Sequence, residues 1–213
     1  GIICSGAVIG IDNSETGATY QLRLNGVLNM GAAVDGTGSA ISFGEQYLPG
    51  IYTAIATNMK GCSSLMNGEV EVNANPVAFN VTPSAAQCPP VKIGINGSET
   101  GVNYILVLEN SIQIDTLQGT GTALSFGAQT TSGNYTVLAY NAATLCKTEM
   151  NGTAVIKPAP ISYPMTPAGI LCPGTPIGLA NSEAGVSYQL IRNGGMLVGL
   201  AVAGTGKPLN FGS

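Results

Sequence analysis

Three glutamates recur in one frame. Glu15 lies in Ser14-Glu15-Thr16-Gly17, Glu99 in Ser98-Glu99-Thr100-Gly101 and Glu183 in Ser182-Glu183-Ala184-Gly185, at steps of 84 residues. A carboxylate held in one place is a residue type for general acid–base work. Five cysteines, Cys4, Cys62, Cys88, Cys146 and Cys172, offer nucleophiles, metal ligands or bridges. The chain has no His, so the commonest general base and metal ligand is missing, and no cysteine has the partner that would activate it for attack.

These residues belong to a repeat. Cys4, Cys88 and Cys172 are 84 residues apart, as are Cys62 and Cys146, and Tyr20, Tyr104 and Tyr188. The triplet Gly36-Thr37-Gly38 returns at Gly119 and at Gly204, and Ser42-Phe43-Gly44 returns at Ser125 and as Asn210-Phe211-Gly212. A fixed period with many aligned features marks a tandem array and is settled before any site is considered. Division at Pro-bearing stretches gives three repeats: 1–75, which lacks a first strand, 76–158, and a partial repeat at 159–213.

Within a repeat the pattern is β. Ile9 and Ile11, then Tyr20, Leu22 and Leu24, then Tyr52, Ala54 and Ala56 alternate with other residues at period two, and Gly, Asn and Pro clusters separate the runs. About seven short strands in some 84 residues imply an all-β chain of tandem immunoglobulin-like sandwiches. Short Pro-bearing joints imply a semi-rigid rod.

Composition excludes other classes. Net charge is −4 with seven Lys and Arg scattered singly, which speaks against nucleic acid and against a polybasic membrane patch. No run is long and apolar enough to span a bilayer as a helix. The chain does not begin with Met and shows no signal peptide, and reads as a mature or excised segment.

The repeat suggests pairing each cysteine within its own unit: Cys4 with Cys62, and Cys88 with Cys146. Cys172 is then left unpaired by truncation, because its partner would fall one period after Cys146. Tyr52 precedes Cys62 by ten residues, so the bridge is expected to clip an end of the sandwich instead of crossing its centre. Disulfides imply an oxidising compartment.

The remaining motifs point to structure. The Gly-Thr-Gly triplets lack the spacing and following helix of a phosphate loop and read as turns. Gly17, Gly101 and Gly185 supply the positive φ such turns require, and Glu15, Glu99 and Glu183 read as turn residues, with nearby turn amides as the expected partners. No cofactor is expected. Calcium is the ion class left open, although Asp12, Asp35 and Asp115 are isolated. Asn80, Asn96, Asn134 and Asn151 begin glycosylation sequons, and Asp115-Thr116-Leu117 is similar to a Bacteroidota O-glycosylation acceptor.

The motifs Tyr20-Gln21-Leu22, Gly36-Thr37-Gly38, Ser42-Phe43-Gly44, Gly50-Ile51-Tyr52-Thr53 and Cys62, with their second-repeat counterparts, resemble the immunoglobulin-like repeats of giant Bacteroidota surface proteins, including SprB-like gliding-motility adhesins. The resemblance covers essentially the whole chain. It implies type IX secretion, a cell-surface array and no catalytic residues. The expected function is a non-enzymatic stalk whose partners are neighbouring repeats and other copies in a filament or bundle. The adhesion ligand is unspecified. Two alternatives stand beside it: a filament subunit completed by strand exchange, and a carbohydrate-binding module using surface tyrosines such as Tyr47 or Tyr140.

Overall fold

Alternating runs fold as alternating strands. The computed structural model describes residues 1–212, and among them there is no helix. The first repeat holds β1 (Ile2–Cys4), β2 (Ala7–Ile11), β3 (Ala18–Leu24), β4 (Leu28–Asp35), β5 (Ile41–Gln46), β6 (Gly50–Asn58), β7 (Ser63–Leu65) and β8 (Val70–Asn73). The second holds β9 (Val81–Thr82), β10 (Val91–Ile95), β11 (Val102–Leu108), β12 (Ile112–Gln118), β13 (Leu124–Gln129), β14 (Gly133–Asn141), β15 (Lys147–Glu149) and β16 (Ala154–Ile156). The third holds β17 (Met165–Thr166), β18 (Gly178–Leu179), β19 (Ser187–Arg192), β20 (Met196–Ala203) and β21 (Leu209–Asn210).

The second repeat is a two-sheet sandwich. One sheet runs β12-β11-β14-β15 with β16 also on β14, and the other runs β13-β10-β9. The inward phase of each strand is buried: Ile93 and Ile95 from one sheet meet Tyr104, Leu106, Tyr135 and Val137 from the other. In β11 the burial alternates strictly along Val102–Leu108, so one face is core and the other is not. Tyr135 donates its hydroxyl to the Thr131 carbonyl (2.9 Å), and Tyr52 does the same to Leu48 (2.8 Å). Each is a tyrosine corner of the immunoglobulin sandwich type. Antiparallel packing of these sheets, with a parallel bridge from Gln87 to Ile156 closing the edge, identifies the unit as immunoglobulin-like.

The first repeat repeats the plan with one strand fewer in its second sheet. β4-β3-β6-β8-β1 form one sheet, with β7 on β6, and β2-β5 form the other. β1 runs parallel to β8, placing Cys4 opposite Asn73 at the end that leads into the second repeat. The chain divides into two compact units, Gly1–Lys157 and Pro158–Ser213, and the first two repeats lie together in the former.

Candidate functional site

The Ser-Glu-Thr-Gly turn and the Gly-Thr-Gly turn are one structure. Ser98 donates its hydroxyl to the Thr122 carbonyl (2.6 Å) and accepts the Thr120 amide (3.0 Å). Ser14 does the same with Ser39 and Thr37, and Ser182 with Lys207 and Thr205. All three serines are buried, and a buried hydroxyl needs such partners. The tyrosine hydroxyl of the strand that follows the turn joins them: Tyr20, Tyr104 and Tyr188 accept the amides of Glu15, Glu99 and Glu183. The first glycine of each triplet lies against the glutamate carbonyl. A Cβ at Gly36, Gly119 or Gly204 would stand 2.0, 1.9 or 1.9 Å from that oxygen. Gly17, Gly101 and Gly185 have φ of 85°, 81° and 87°, which any side chain would strain.

The glutamate carboxylates do something the sequence did not suggest. Glu99 accepts the amide of Val77 (2.6 Å), and Glu183 accepts the amide of Ile161 (2.6 Å), each 22 residues upstream. The expected partners were turn amides. The actual partners lie in the segment that enters each sandwich, so the glutamate pins the incoming linker. Pro76, just before Val77, is buried, and the Asn75 amide donates to the Ser5 carbonyl (3.1 Å), tying the linker to the first repeat as well. Replacing Glu99 with Ala should free the Val77 amide, seen as several-fold faster hydrogen exchange there, and cost about 1 kcal/mol. Glu99→Gln keeps an acceptor oxygen and should retain most of the protection. Equal exchange in wild type and Glu99→Ala would sink the anchoring role.

The disulfide connects repeats, which corrects the pairing expected from sequence. Cys4 is bonded to Cys146, 142 residues away, with Cα atoms 5.6 Å apart. Cys62 and Cys88, expected to pair with Cys4 and Cys146, are free and exposed, as is Cys172. The reason is where the strands end. β1 delivers Cys4 to the exit pole of the first repeat, beside Asn73, whereas Cys62 lies in the β6–β7 turn at the opposite end of the strands from that exit. Cys146 lies in the corresponding β14–β15 turn of the second repeat, and that turn meets the exit pole of the first. Cys146 is fully buried in this contact.

The joint between the first two repeats therefore has three fasteners: a covalent bridge, a carboxylate on the linker amide and an Asn on the β1 exit. Among the described residues no three His, Cys, Asp or Glu side chains gather as a metal-binding group. Tyr47 is exposed with its hydroxyl on the Glu45 carboxylate, and Tyr140 lies under the Lys147 ammonium (5.4 Å to the ring centre). They belong to different repeats and form no shared platform.

Burial raises the phenol groups of Tyr52, Tyr104 and Tyr135 above their ordinary value. Their folded values exceed the unfolded one, near 10, so the stability they contribute is complete below that pH and is lost as pH rises through the raised values. The unfolding midpoint should hold level to about pH 9 and fall beyond about pH 10. A level midpoint through pH 11 or so would show that these hydroxyls ionise freely in the fold.

No protein-family model and no curated protein matches the chain. Solved structures with a similar course of chain include a biofilm-associated protein BSP domain, at 12% identity and TM-score 0.30, covering 74% of this chain and 29% of that one. The insect immune protein hemolin aligns at 16% identity and TM-score 0.36, over 73% of this chain and 44% of its own. Fibronectin(III)-like modules of Clostridium thermocellum CbhA align at 13% and 0.29, over 73% and 88%. The chain thus spans under half the length of the first and second of these.

Proposed function

We propose that the chain is a non-enzymatic stalk segment of a large extracellular surface protein, in which immunoglobulin-like repeats are fastened end to end. The observation that carries this reading is the Cys4–Cys146 bridge, which spends a covalent bond on the joint between repeats and none inside either. A joint of this kind keeps successive sandwiches in register under tension. The same glutamate anchor at Glu99 and Glu183 supports a joint that recurs along an array. The disulfide supports an oxidising, extracellular setting, and the motif resemblance supports a Bacteroidota surface adhesin exported by type IX secretion. Adhesion to a ligand belongs to the array as a whole.

Single-molecule pulling tests it. With the bridge intact, the chain between Cys4 and Cys146 is shielded from force. Reduction should add roughly 500 Å of extensible chain, at up to ~3.6 Å per residue, and the released repeats should still resist as folded domains. Extension at low force without discrete unfolding steps would remove the stalk reading.

A further inference from the structure

The outward faces of the first two repeats differ at matching positions. In the first repeat a row of side chains crosses β4, β3, β6 and β7, with Asp35, Thr19, Thr57 and Ser63 standing opposite one another. The matching row of the second repeat crosses β12, β11, β14 and β15 and reads Gln118, Asn103, Tyr140 and Lys147. This row faces away from the core, because Tyr104 and Ala139, the next residues along β11 and back along β14, are fully buried on the other face.

The two rows are in different chemical states. In the first repeat the Thr57 and Ser63 hydroxyls bond each other (2.9 Å) and Thr19 donates to the Thr57 carbonyl (3.4 Å), so these groups are used up within the sheet. In the next row Gln21 is likewise occupied, donating to the Leu22 and Met30 carbonyls. In the second repeat the side chains of Asn103, Gln118, Tyr140 and Lys147 make no hydrogen bond among the described residues, and the Lys147 ammonium stands over the Tyr140 ring, 5.4 Å from its centre. Gln118 and Lys147 are exposed, and Asn103 and Tyr140 partly so. Gln21 is replaced by Ile105, which faces Leu138 beside the row. The sheet itself requires neither the ring nor the free amides, because the first repeat builds the same sheet without them.

We propose that this row of the second repeat binds a neutral oligosaccharide lying across the strands. A sugar ring has an apolar C–H face and a rim of hydroxyls that both donate and accept. Tyr140 receives the apolar face. The amides of Asn103 and Gln118 donate and accept at once, and the Lys147 ammonium donates, which matches hydroxyls in either sense. Lys147 approaches the Tyr140 ring from the β15 side, and the other side of the ring, toward Asn103 and Gln118 on β11 and β12, receives the sugar. The contact with Lys147 also holds the ring in one orientation before the ligand arrives.

Charge and size select this occupant. Glu149 stands two residues from Lys147 on the same strand and the same face, opposite Leu138, so the face carries both signs and favours neither an acidic nor a basic ligand. Four strands at about 4.8 Å spacing make the row about 14 Å across. That is a short oligosaccharide's length, and far less than the roughly 800 Å² per side that a stable protein partner covers. The site lies wholly on one sheet of the second repeat. It adds a ligand contact to the stalk and does not depend on the stalk reading.

The test titrates the full chain, followed by amide NMR, with cellohexaose, xylohexaose, mannohexaose and chitohexaose. At least one should shift the side-chain amide signals of Asn103 and Gln118 to saturation. Tyr140→Ala should weaken that binding about tenfold, Tyr140→Phe should retain most of it, and Gln118→Ala should weaken it several-fold. Thr57→Ala, in the matching row of the first repeat, should leave it unchanged. These side chains point away from the core, so the unfolding midpoints should stay at the wild-type value; Gln118, exposed on an edge strand, keeps the test decisive even where a Tyr140 variant fails to fold. Four saccharides without effect, shifts centred outside the row, or Tyr140→Ala binding as wild type would each overturn the proposal. So would binding of oligogalacturonate in preference to all four, or a self-association lost in Tyr140→Ala with no saccharide bound. The stalk reading is decided separately, by the pulling experiment.

Discussion

Replacing Gly119 with Val should sharply lower the temperature at which the second repeat unfolds. A Cβ at this position would stand 1.9 Å from the Glu99 carbonyl oxygen and 3.0 Å from the Tyr104 ring. Neither neighbour can yield. The Glu99 amide is held by the Tyr104 hydroxyl (2.9 Å), and Tyr104 is fully buried between the sheets. Moving the Gly-Thr-Gly turn outward instead breaks both bonds to Ser98 and leaves a buried hydroxyl unsatisfied. Overpacking and two lost hydrogen bonds together should cost at least about 3 kcal/mol, a fall of roughly 10 °C or more in the unfolding midpoint of that repeat. Gly121→Ala is the control. Its Cβ would meet only Thr100 Cγ2 at 3.8 Å, and the penalty is the left-handed φ of 83°, about 1 kcal/mol. Equal losses in the two variants would mean that the two turns are not interlocked.

Reducing the Cys4–Cys146 bridge, or replacing Cys4 with Ser, should be the second large effect. The bridge closes a loop spanning 142 residues, and in the chain-entropy model a loop of that length contributes about 5 kcal/mol against the unfolded chain. The two repeats have separate cores, since no cluster mixes their residues. With the bridge intact they should therefore unfold close together, because opening either one still leaves its chain tethered. Without it, calorimetry should show two transitions, the earlier from the first repeat, whose core is split into two small clusters where the second repeat has one large one. A single unchanged transition after reduction would show that the joint is held by contacts other than the bridge. Cys62→Ser in the reduced chain should leave the midpoint where it is, because its thiol is free and exposed.

Both effects depend on residues whose types were legible and whose partners were not. Alternation in Tyr20–Leu24 and Val102–Leu108 requires strands with one buried face, and the strands formed there. Glycines at the end of Ser-Glu-Thr-Gly require a turn with positive φ, and it is present. These are local properties: a side-chain period or a forbidden φ is written in neighbouring residues. The serine that stitches the two turns together acts across more than twenty residues, and only its burial beside the Gly-Thr-Gly carbonyls explains why Ser14, Ser98 and Ser182 recur.

The sequence by itself determined the repeat, the β class, the turns and which cysteines are equivalent to which. Only the tertiary structure decided that Cys4 meets Cys146 and that Glu99 holds Val77. The physical reason lies in the sequence period itself. A period assigns every cysteine and every glutamate a role, but a partner in the same repeat and a partner in the next satisfy that period equally. What breaks the tie is the direction in which strands leave the sandwich. β1 carries its cysteine to the exit pole, the β14–β15 turn carries another to the facing pole of the following repeat, and the bond forms where those two ends come together.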